Sequence, residues 1–319
     1  MVLEILIPLA YVFGGMLVIF KSAEKSTENA VILARVLGIS ELAIGFILVS
    51  SATSMPEFAI AISAALRSSD SIVESGTNLS VGNIFGANLS NILWVIGVAA
   101  VLGVVSIKRK DIKELTMVLL ASSAISMLFV IYQPNRISGG LLFVIFLSYV
   151  FWLLRGERKI KAVKVVKKPN KFLLPLIKFG LFISIVIVFA QIVVDNAIYL
   201  SKMFGVAQTV IGGTIIAFGT TLPELSVTIA AVRKKAEKVA LGNAIGSGIV
   251  NLTLIFGTAL MINPSIEVTS AAKLIVFSVL ANLLLLYFIM IRGGVGKQEG
   301  YLMVGGYITF LLVFGLGSL

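Results

Sequence analysis

The chain has 319 residues, of which 58% are hydrophobic and 13% charged. Soluble domains average about 25% charged residues, so composition excludes an ordinary soluble protein, and the net charge of +11 is not read as a nucleic-acid footprint. Cysteine and histidine are both absent, which excludes disulfides, thiolate metal centres and imidazole as ligand or proton carrier.

Ten apolar stretches are long enough to cross a hydrocarbon core of about 30 Å. In chain order they lie near residues 3–20, 40–66, 79–103, 114–133, 137–154, 172–200, 207–232, 239–262, 268–291 and 300–317. The first and sixth continue as more polar helix through 21–37 and 192–204. No small-residue cleavage site follows the first, which reads as a retained helix. Alternate connections on one side carry Lys21, Lys25 and Arg35; Lys108, Arg109, Lys110 and Lys113; the run from Arg155 to Lys171; Arg233, Lys234, Lys235 and Lys238; and Arg292 and Lys297. The other side carries only Arg67, Arg136 and Lys202. This bias marks the basic side as cytoplasmic and places both termini outside. Residues 155–171 then form a basic cytoplasmic linker between halves 1–154 and 172–319, with anionic lipid as its neighbour. The expected location is the plasma membrane, with the bilayer as surroundings, no nucleic acid and no obligate protein partner.

The second and seventh stretches carry one pattern twice. IGFILVSSATSMPEF (44–58) and IGGTIIAFGTTLPEL (211–225) each end a Thr-x-x-Pro-Glu run, at Glu57 and Glu224. The offset of 167 also relates Glu28-Asn29-Ala30 to Asp195-Asn196-Ala197 and Gly38 to Gly205. Downstream it becomes 160: Gly82-Asn83-Ile84-Phe85-Gly86 matches Gly242-Asn243-Ala244-Ile245-Gly246, Asn91 matches Asn251 and Gly97 matches Gly257. Repeat regions thus span about 40–103 and 207–262. Five crossings per half make the copies enter the membrane in opposite senses, the inverted repeat of many secondary transporters. The expected fold is all-α and integral to the membrane, with ten transmembrane helices in two inverted five-helix repeats and broken helices at the midplane.

Each motif has a physical rationale. Proline removes a backbone donor and clashes with the carbonyl four residues earlier, here Ala52 for Pro56 and Gly219 for Pro223. Carbonyls freed there can face a cavity, because broken backbone is tolerated at membrane depth where it is buried or lines water. An ionisable side chain at that depth is expensive, on the order of 3 kcal/mol, and survives with a partner. Neither glutamate has an acidic neighbour close in sequence, and a mobile cation is the expected partner. Asn83 and Asn91, with Gly86 between them, fall on roughly one helix face, as do Asn243, Gly246 and Asn251. Their amides can coordinate an ion or hold a glutamate in place. Asp195 is expected near the outer water interface, and Trp94 and Trp152 read as packing or interface anchors.

SATSMPEF with GNIFGANLSN, and GTTLPEL with GNAIGSGIVN, resemble the two alpha-repeats of the calcium/cation antiporter superfamily, which includes cation/proton and sodium/calcium exchangers. The resemblance covers essentially the whole chain. It implies a diamond of Glu57, Asn91, Glu224 and Asn251 with Ca2+ between the glutamates, joined by backbone oxygens of Thr53 and Thr220. Flanking sodium sites of such exchangers would fall near Ser50, Ser54, Ala217, Thr221, Ala87 and Ser247, and the first and sixth helices would slide. The Asn251 position is aspartate in some sodium-coupled members and the Ala87 position is often serine, so this chain has two carboxylates and an uneven supply of hydroxyls. Proton-coupled members likewise keep amides at this level. The expected function is therefore Ca2+ export in exchange for H+, with Na+ as the alternative coupling ion. No cofactor is expected, and the chain is read as a transporter, not an enzyme. A cation channel is the rival from another class, since paired carboxylates and exposed carbonyls also serve pores.

Overall fold

A computed structural model describes residues 2–36, 50–67, 75–103, 105–106, 109–157, 172–233, 237–264, 266 and 268–316. The linker 158–171, the start of the first Thr-x-x-Pro-Glu repeat (37–49), and Lys108, Lys234 and Lys235 lie outside the described residues. What is described is almost entirely helical. The first half comprises α1 (Val2–Val36), α2 (Ser50–Thr53), α3 (Met55–Arg67), α4 (Ser75–Ser90) leading through a π-helical turn (Asn91–Ile96) into α5 (Gly97–Leu102), then strand β1 (Val105–Ser106), α6 (Arg109–Ile131) and α7 (Arg136–Glu157). The second half comprises α8 (Leu173–Phe204), α9 (Gln208–Ile211), a π-helical turn (Gly212–Ile216), α10 (Ala217–Thr220), α11 (Leu222–Arg233), α12 (Glu237–Val250), a further π-helical turn (Asn251–Ile255), α13 (Phe256–Ile262), α14 (Ala272–Arg292), strand β2 (Gly294–Val295) and α15 (Lys297–Leu316).

Among the described residues six helical spans are long and apolar enough to cross a membrane: Leu3–Ser26, Asn78–Leu102, Leu173–Phe204, Gln208–Arg233, Ala240–Ile262 and Thr269–Arg292. Met55–Leu66, Leu115–Ile131 and Arg136–Phe151 are shorter apolar helices. Large hydrophobic side chains such as Leu6, Leu141, Leu181, Met290 and Leu312 lie on the outside of the bundle, the distribution expected where the solvent is lipid.

Local signals explain where helices start and stop. α8 ends at Gly205, whose φ of +66° is left-handed. There Gly205 N–H bonds the Lys202 carbonyl at 3.3 Å and Val206 N–H the Ser201 carbonyl at 2.9 Å, the paired bonds of a Schellman cap. Asn135 opens α7 through a reciprocal cap: its Oδ1 accepts from Ser138 N–H at 2.9 Å, and Ser138 Oγ accepts from Asn135 N–H at 2.8 Å. The matched Asn29 and Asn196 both donate to the carbonyl four residues back, at 2.7 Å in each case.

Two hydrophobic clusters organise the packing. The larger joins α4–α7 to α12–α15, and at its heart Phe256 meets the edges of Phe85 and Phe129 at centroid distances of 5.6 and 5.2 Å. The smaller is built mainly by α1 and α8, through Val12, Met16, Ile19, Val186, Ala190, Val193 and Val194, and touches α3 through Ala59 and Ile60. These two long helices lie along each other outside the main core. β1 and β2 pair antiparallel, Val105 opposite Val295 and Ser106 opposite Gly294, tying a connection of one half to a connection of the other.

The repeats cross where neither carries a side chain. A Cβ on Gly86 would stand 2.5 Å from the Gly213 carbonyl oxygen and 2.6 Å from Gly213 Cα, and Gly82 faces Gly212 and Thr209 in the same way. Small residues allow this backbone approach where lipid offers no hydrophobic drive for helix association.

Candidate cation site

The two Thr-x-x-Pro-Glu copies interrupt their helices at equivalent places. α2 stops at Thr53 and α3 starts at Met55; α10 stops at Thr220 and α11 starts at Leu222. The interruption is a single residue, narrower than an unwound segment. Thr221 takes φ −84° and ψ 3°, between the helical and extended regions. The ladder resumes at once, with Phe58 N–H bonding the Ser54 carbonyl and Leu225 N–H the Thr221 carbonyl, both at 3.0 Å. Glu57 and Glu224 therefore sit in the first turns of α3 and α11, where a helix presents its positive dipole end.

Both glutamates are wholly buried, and their carboxyl groups are close enough for one charge to act on the other. A pair of crossed hydrogen bonds sets them. Thr53 Oγ1 donates to Asn243 Oδ1 at 3.3 Å, while Asn243 Nδ2 donates to the Glu224 carbonyl at 3.1 Å. The mate pair repeats the pattern: Thr220 Oγ1 donates to Asn83 Oδ1 at 3.2 Å, and Asn83 Nδ2 to the Glu57 carbonyl at 3.4 Å. Each threonine thus crosses to the asparagine that holds the glutamate of the opposite repeat. Asn243 also donates to Thr228 Oγ1 at 3.1 Å. Removing Asn243 orphans more buried groups than removing Asn83, and each unsatisfied group costs about 1–3 kcal/mol. Asn243→Leu is accordingly expected to melt below Asn83→Leu in detergent, as read by thermal unfolding of the purified proteins.

The carboxylates themselves are not equivalent. Glu224 Oε1 accepts from Ser54 Oγ at 3.2 Å and from Ser247 Oγ at 3.1 Å. On the other side, Ala87 stands where Ser247 has its hydroxyl. Thr221, the mate of Ser54, turns away and bonds the Ala217 carbonyl at 3.0 Å and Ser90 Oγ at 2.9 Å. Among the described residues, both oxygens of Glu57 and Oε2 of Glu224 have no hydrogen-bond partner.

Asn91 and Asn251 each open a π-helical turn, a local widening that often marks functional positions. Both are fully buried. Among the described residues neither polar atom of Asn91 is bonded, nor is Asn251 Oδ1, whereas Asn251 Nδ2 donates to Asn88 Oδ1 at 2.9 Å.

The structure places Thr53, Ser54, Glu224, Asn243 and Ser247 in one hydrogen-bonded group and Glu57, Asn83 and Thr220 in a second, with Thr221 tied to Ser90 beside them. Ala87 and Ala217 are buried, and the Ser50 side chain lies outside the described residues. Thr228, Ser90 and Asn88 were not anticipated. Thr228 has no distinguishing motif, and Ser90 and Asn88 have Val250 and Gly248 as repeat mates, so comparing the copies conceals them. Trp94 packs against Phe218 and Tyr307 at centroid distances of 5.7 and 5.9 Å, and Trp152 lies outside the described side chains. Asp195 is exposed. Among the described residues no group of three or more carboxylates gathers.

A bundle of membrane-length helices with a buried carboxylate pair, one from each of two matched motifs, defines a polytopic membrane protein of the cation-antiporter class. The chain belongs to the sodium/calcium exchanger protein family, whose sequence profile matches residues 7–155 and 174–316. It is 31% identical over 323 residues to the inner membrane protein YrbG of Escherichia coli, covering 96% of both chains. It is 28% identical over 346 residues to the sodium/calcium exchanger MaX1 of Methanosarcina acetivorans, covering 94% of this chain and 96% of that one. Its fold is similar to that of the sodium-calcium exchanger NCX_Mj, with a TM-score of 0.66, 23% identity and coverage of 96% and 98% of the two chains.

Proposed function

We propose that the chain is a secondary active antiporter that exports Ca2+ against an entering monovalent cation, the ions competing for Glu57 and Glu224. The observation that carries this reading is the set of oxygens with no hydrogen-bond partner among the described residues: three on the two buried carboxylates and one each on Asn91 and Asn251. Five side-chain oxygens joined by the carbonyls of Thr53 and Thr220 would make seven, within the 6–8 that Ca2+ prefers. Two adjacent buried carboxylates cannot both stay charged without a compensating cation. One Ca2+ neutralises them; so do two protons.

In this reading the chain forms ten transmembrane helices as two inverted five-helix repeats, 1–154 and 172–319, joined by the basic linker 155–171 on the cytoplasmic side. α1 and α8 slide over the remaining helices and expose the site to each side in turn. H+ is the leading coupling ion, because the Glu57 side lacks the hydroxyls that would complete a sodium shell. Na+ is the second reading, favoured by the hydroxyls of Ser54 and Ser247 beside Glu224. The experiment is to load proteoliposomes with Ca2+ and impose a pH gradient or a Na+ gradient separately. A proton-coupled protein releases Ca2+ under the pH gradient alone, and acid weakens Ca2+ binding because each proton bound removes a ligand charge. Release driven by Na+ alone assigns sodium; Ca2+ flux that runs down its own gradient with no counter-ion shows a channel and ends the antiport reading. Ala87→Ser, which supplies Glu57 with the hydroxyl that Ser247 gives Glu224, is expected to strengthen Na+ as a competitor of Ca2+ severalfold, measured as inhibition of Ca2+ uptake by external Na+.

A further inference from the structure

Asn251 and Asn91 occupy matching positions at the head of matching π-helical turns, yet their surroundings differ. Asn251 Nδ2 is held by Asn88 Oδ1 at 2.9 Å; among the described residues neither polar atom of Asn91 has a hydrogen-bond partner. The difference originates in the sequence. The repeat mate of Asn88 is Gly248, so the second repeat has no side chain with which to hold Asn91. Gly248 lies beside Asn88: a Cβ added there would make an ordinary contact with Asn88 Oδ1 at 3.8 Å. Asn88 is itself buried and borders a small cavity, where Ser122, Asn282 and Gly248 meet the apolar Ile92, Leu119 and Ile245, about large enough for one water. Asn282 Nδ2 in turn donates to Ser123 Oγ at 3.2 Å.

A carboxamide has an oxygen that can bind a cation and an amino group that repels one. In a buried site, which end faces the ion decides whether the residue is a ligand or an obstacle. Anchoring the amino group of Asn251 on an acceptor turns its oxygen, which is otherwise unbonded, toward whatever else the site holds. Supporting groups that fix a ligand's orientation in this way typically account for 10–100-fold in metal affinity.

We propose that Asn88 is a positioning residue of the cation site: through its bond to Asn251 Nδ2 it locks that amide so that Oδ1 is presented as a fixed ligand, leaving Asn91 as the adjustable one. The proposal rests on the reading of Asn251 as a cation ligand. It deepens that reading by assigning the two asparagines different roles, one rigid and one free to turn as the occupant changes.

The test is a double-mutant cycle on Ca2+ uptake into proteoliposomes. Asn88→Ala is expected to raise the Ca2+ concentration at half-maximal uptake about tenfold while leaving the maximal rate within about twofold. In an Asn251→Asp background either carboxylate oxygen can face the ion and no amino group needs an anchor, so the same substitution is expected to shift half-saturation less than about twofold, the non-additivity expected of coupled neighbours. Asn88→Asp keeps an oxygen that can only accept, and is expected to stay within about threefold of the native value or to bind more tightly. Equal shifts from Asn88→Ala in the two backgrounds would mean general packing and overturn the proposal, as would no shift in the native background. If Asn88→Ala yields no folded protein, Asn88→Asp decides: a tenfold or greater rise in half-saturation shows that the asparagine donates instead of accepting, and the proposal falls. Absence of Ca2+ transport by the native protein would remove the functional reading itself, a result distinct from all of these.

Discussion

Glu57→Gln and Glu224→Gln are each expected to lower Ca2+ flux in proteoliposomes at least a hundredfold. Two unit charges 4 Å apart interact by about 4 kcal/mol at an effective dielectric of 20, and a divalent ion doubles that figure. A loss of about 2.7 kcal/mol is already a hundredfold in binding. Glutamine keeps the shape and one oxygen, so the loss is of charge. The ion-free protein is expected to respond in the opposite sense. The carboxyl groups act on one another in a wholly buried site, so neutralising one relieves repulsion and raises the melting temperature without Ca2+. The native protein should gain thermal stability when Ca2+ is added, by about 2.7 kcal/mol at a hundred times the dissociation constant, and both variants should lose that gain. Retained Ca2+ flux in both variants would overturn the proposed mechanism.

The second large effect lies at the crossing of the repeats. Gly86→Val is expected to abolish the folded transporter, read as loss of the monodisperse peak on size exclusion in mild detergent. Its Cβ would meet the carbonyl oxygen and Cα of Gly213 and, at 2.8 Å, Ala217 Cβ. Backbone cannot swing aside as a flexible side chain can, and overpacking even in yielding cores costs about 1–3 kcal/mol. The crossing also sets the distance between the site's two halves, because α4 carries Asn83 and α10 carries Thr220. The control is Gly180→Val on the outward face of α8, where an added Cβ meets nothing within 4 Å; that variant is expected to elute and transport normally.

Much of this was readable from residue type and spacing, for a physical reason. A glutamate in an apolar run is improbable unless its surroundings are built for it, and a proline just before it removes a specific hydrogen bond. Glu57, Pro56, Glu224 and Pro223 therefore identified themselves, and the offset repeats identified Asn83 with Asn243 and Asn91 with Asn251. The deficit of hydroxyls beside Glu57 was likewise visible in Ala87. Three features were not. The π-helical turns at Asn91 and Asn251 depend on how neighbouring helices press on the backbone, and nothing in NILWVI or NLTLI distinguishes them from ordinary helix. The crossed threonine–asparagine bonds join residues 190 and 137 positions apart, and their pairing follows from the docking of the repeats. The turning of Thr221 toward Ser90 and the bond from Asn251 to Asn88 use residues present in only one copy. Reasoning from repetition finds what the halves share and overlooks what makes them differ.

The seating of α1 against α8 bears on tightness. A Cβ on Gly15 would stand 2.6 Å from Val193 Cγ2, and Val12, Met16 and Ile19 interdigitate with Val186, Ala190 and Val194 along the pair. In the sliding motion proposed above, helices meshed so closely would travel as one body, neither retracting while its mate stays behind. Met16 also rests on Gly219, beside the interruption that leads to Glu224. A single stroke of the pair would then uncover one mouth of the passage as it seals the other. If the proposed sliding holds, both mouths would never stand open together, and the membrane would be spared a short circuit each time an ion changes places.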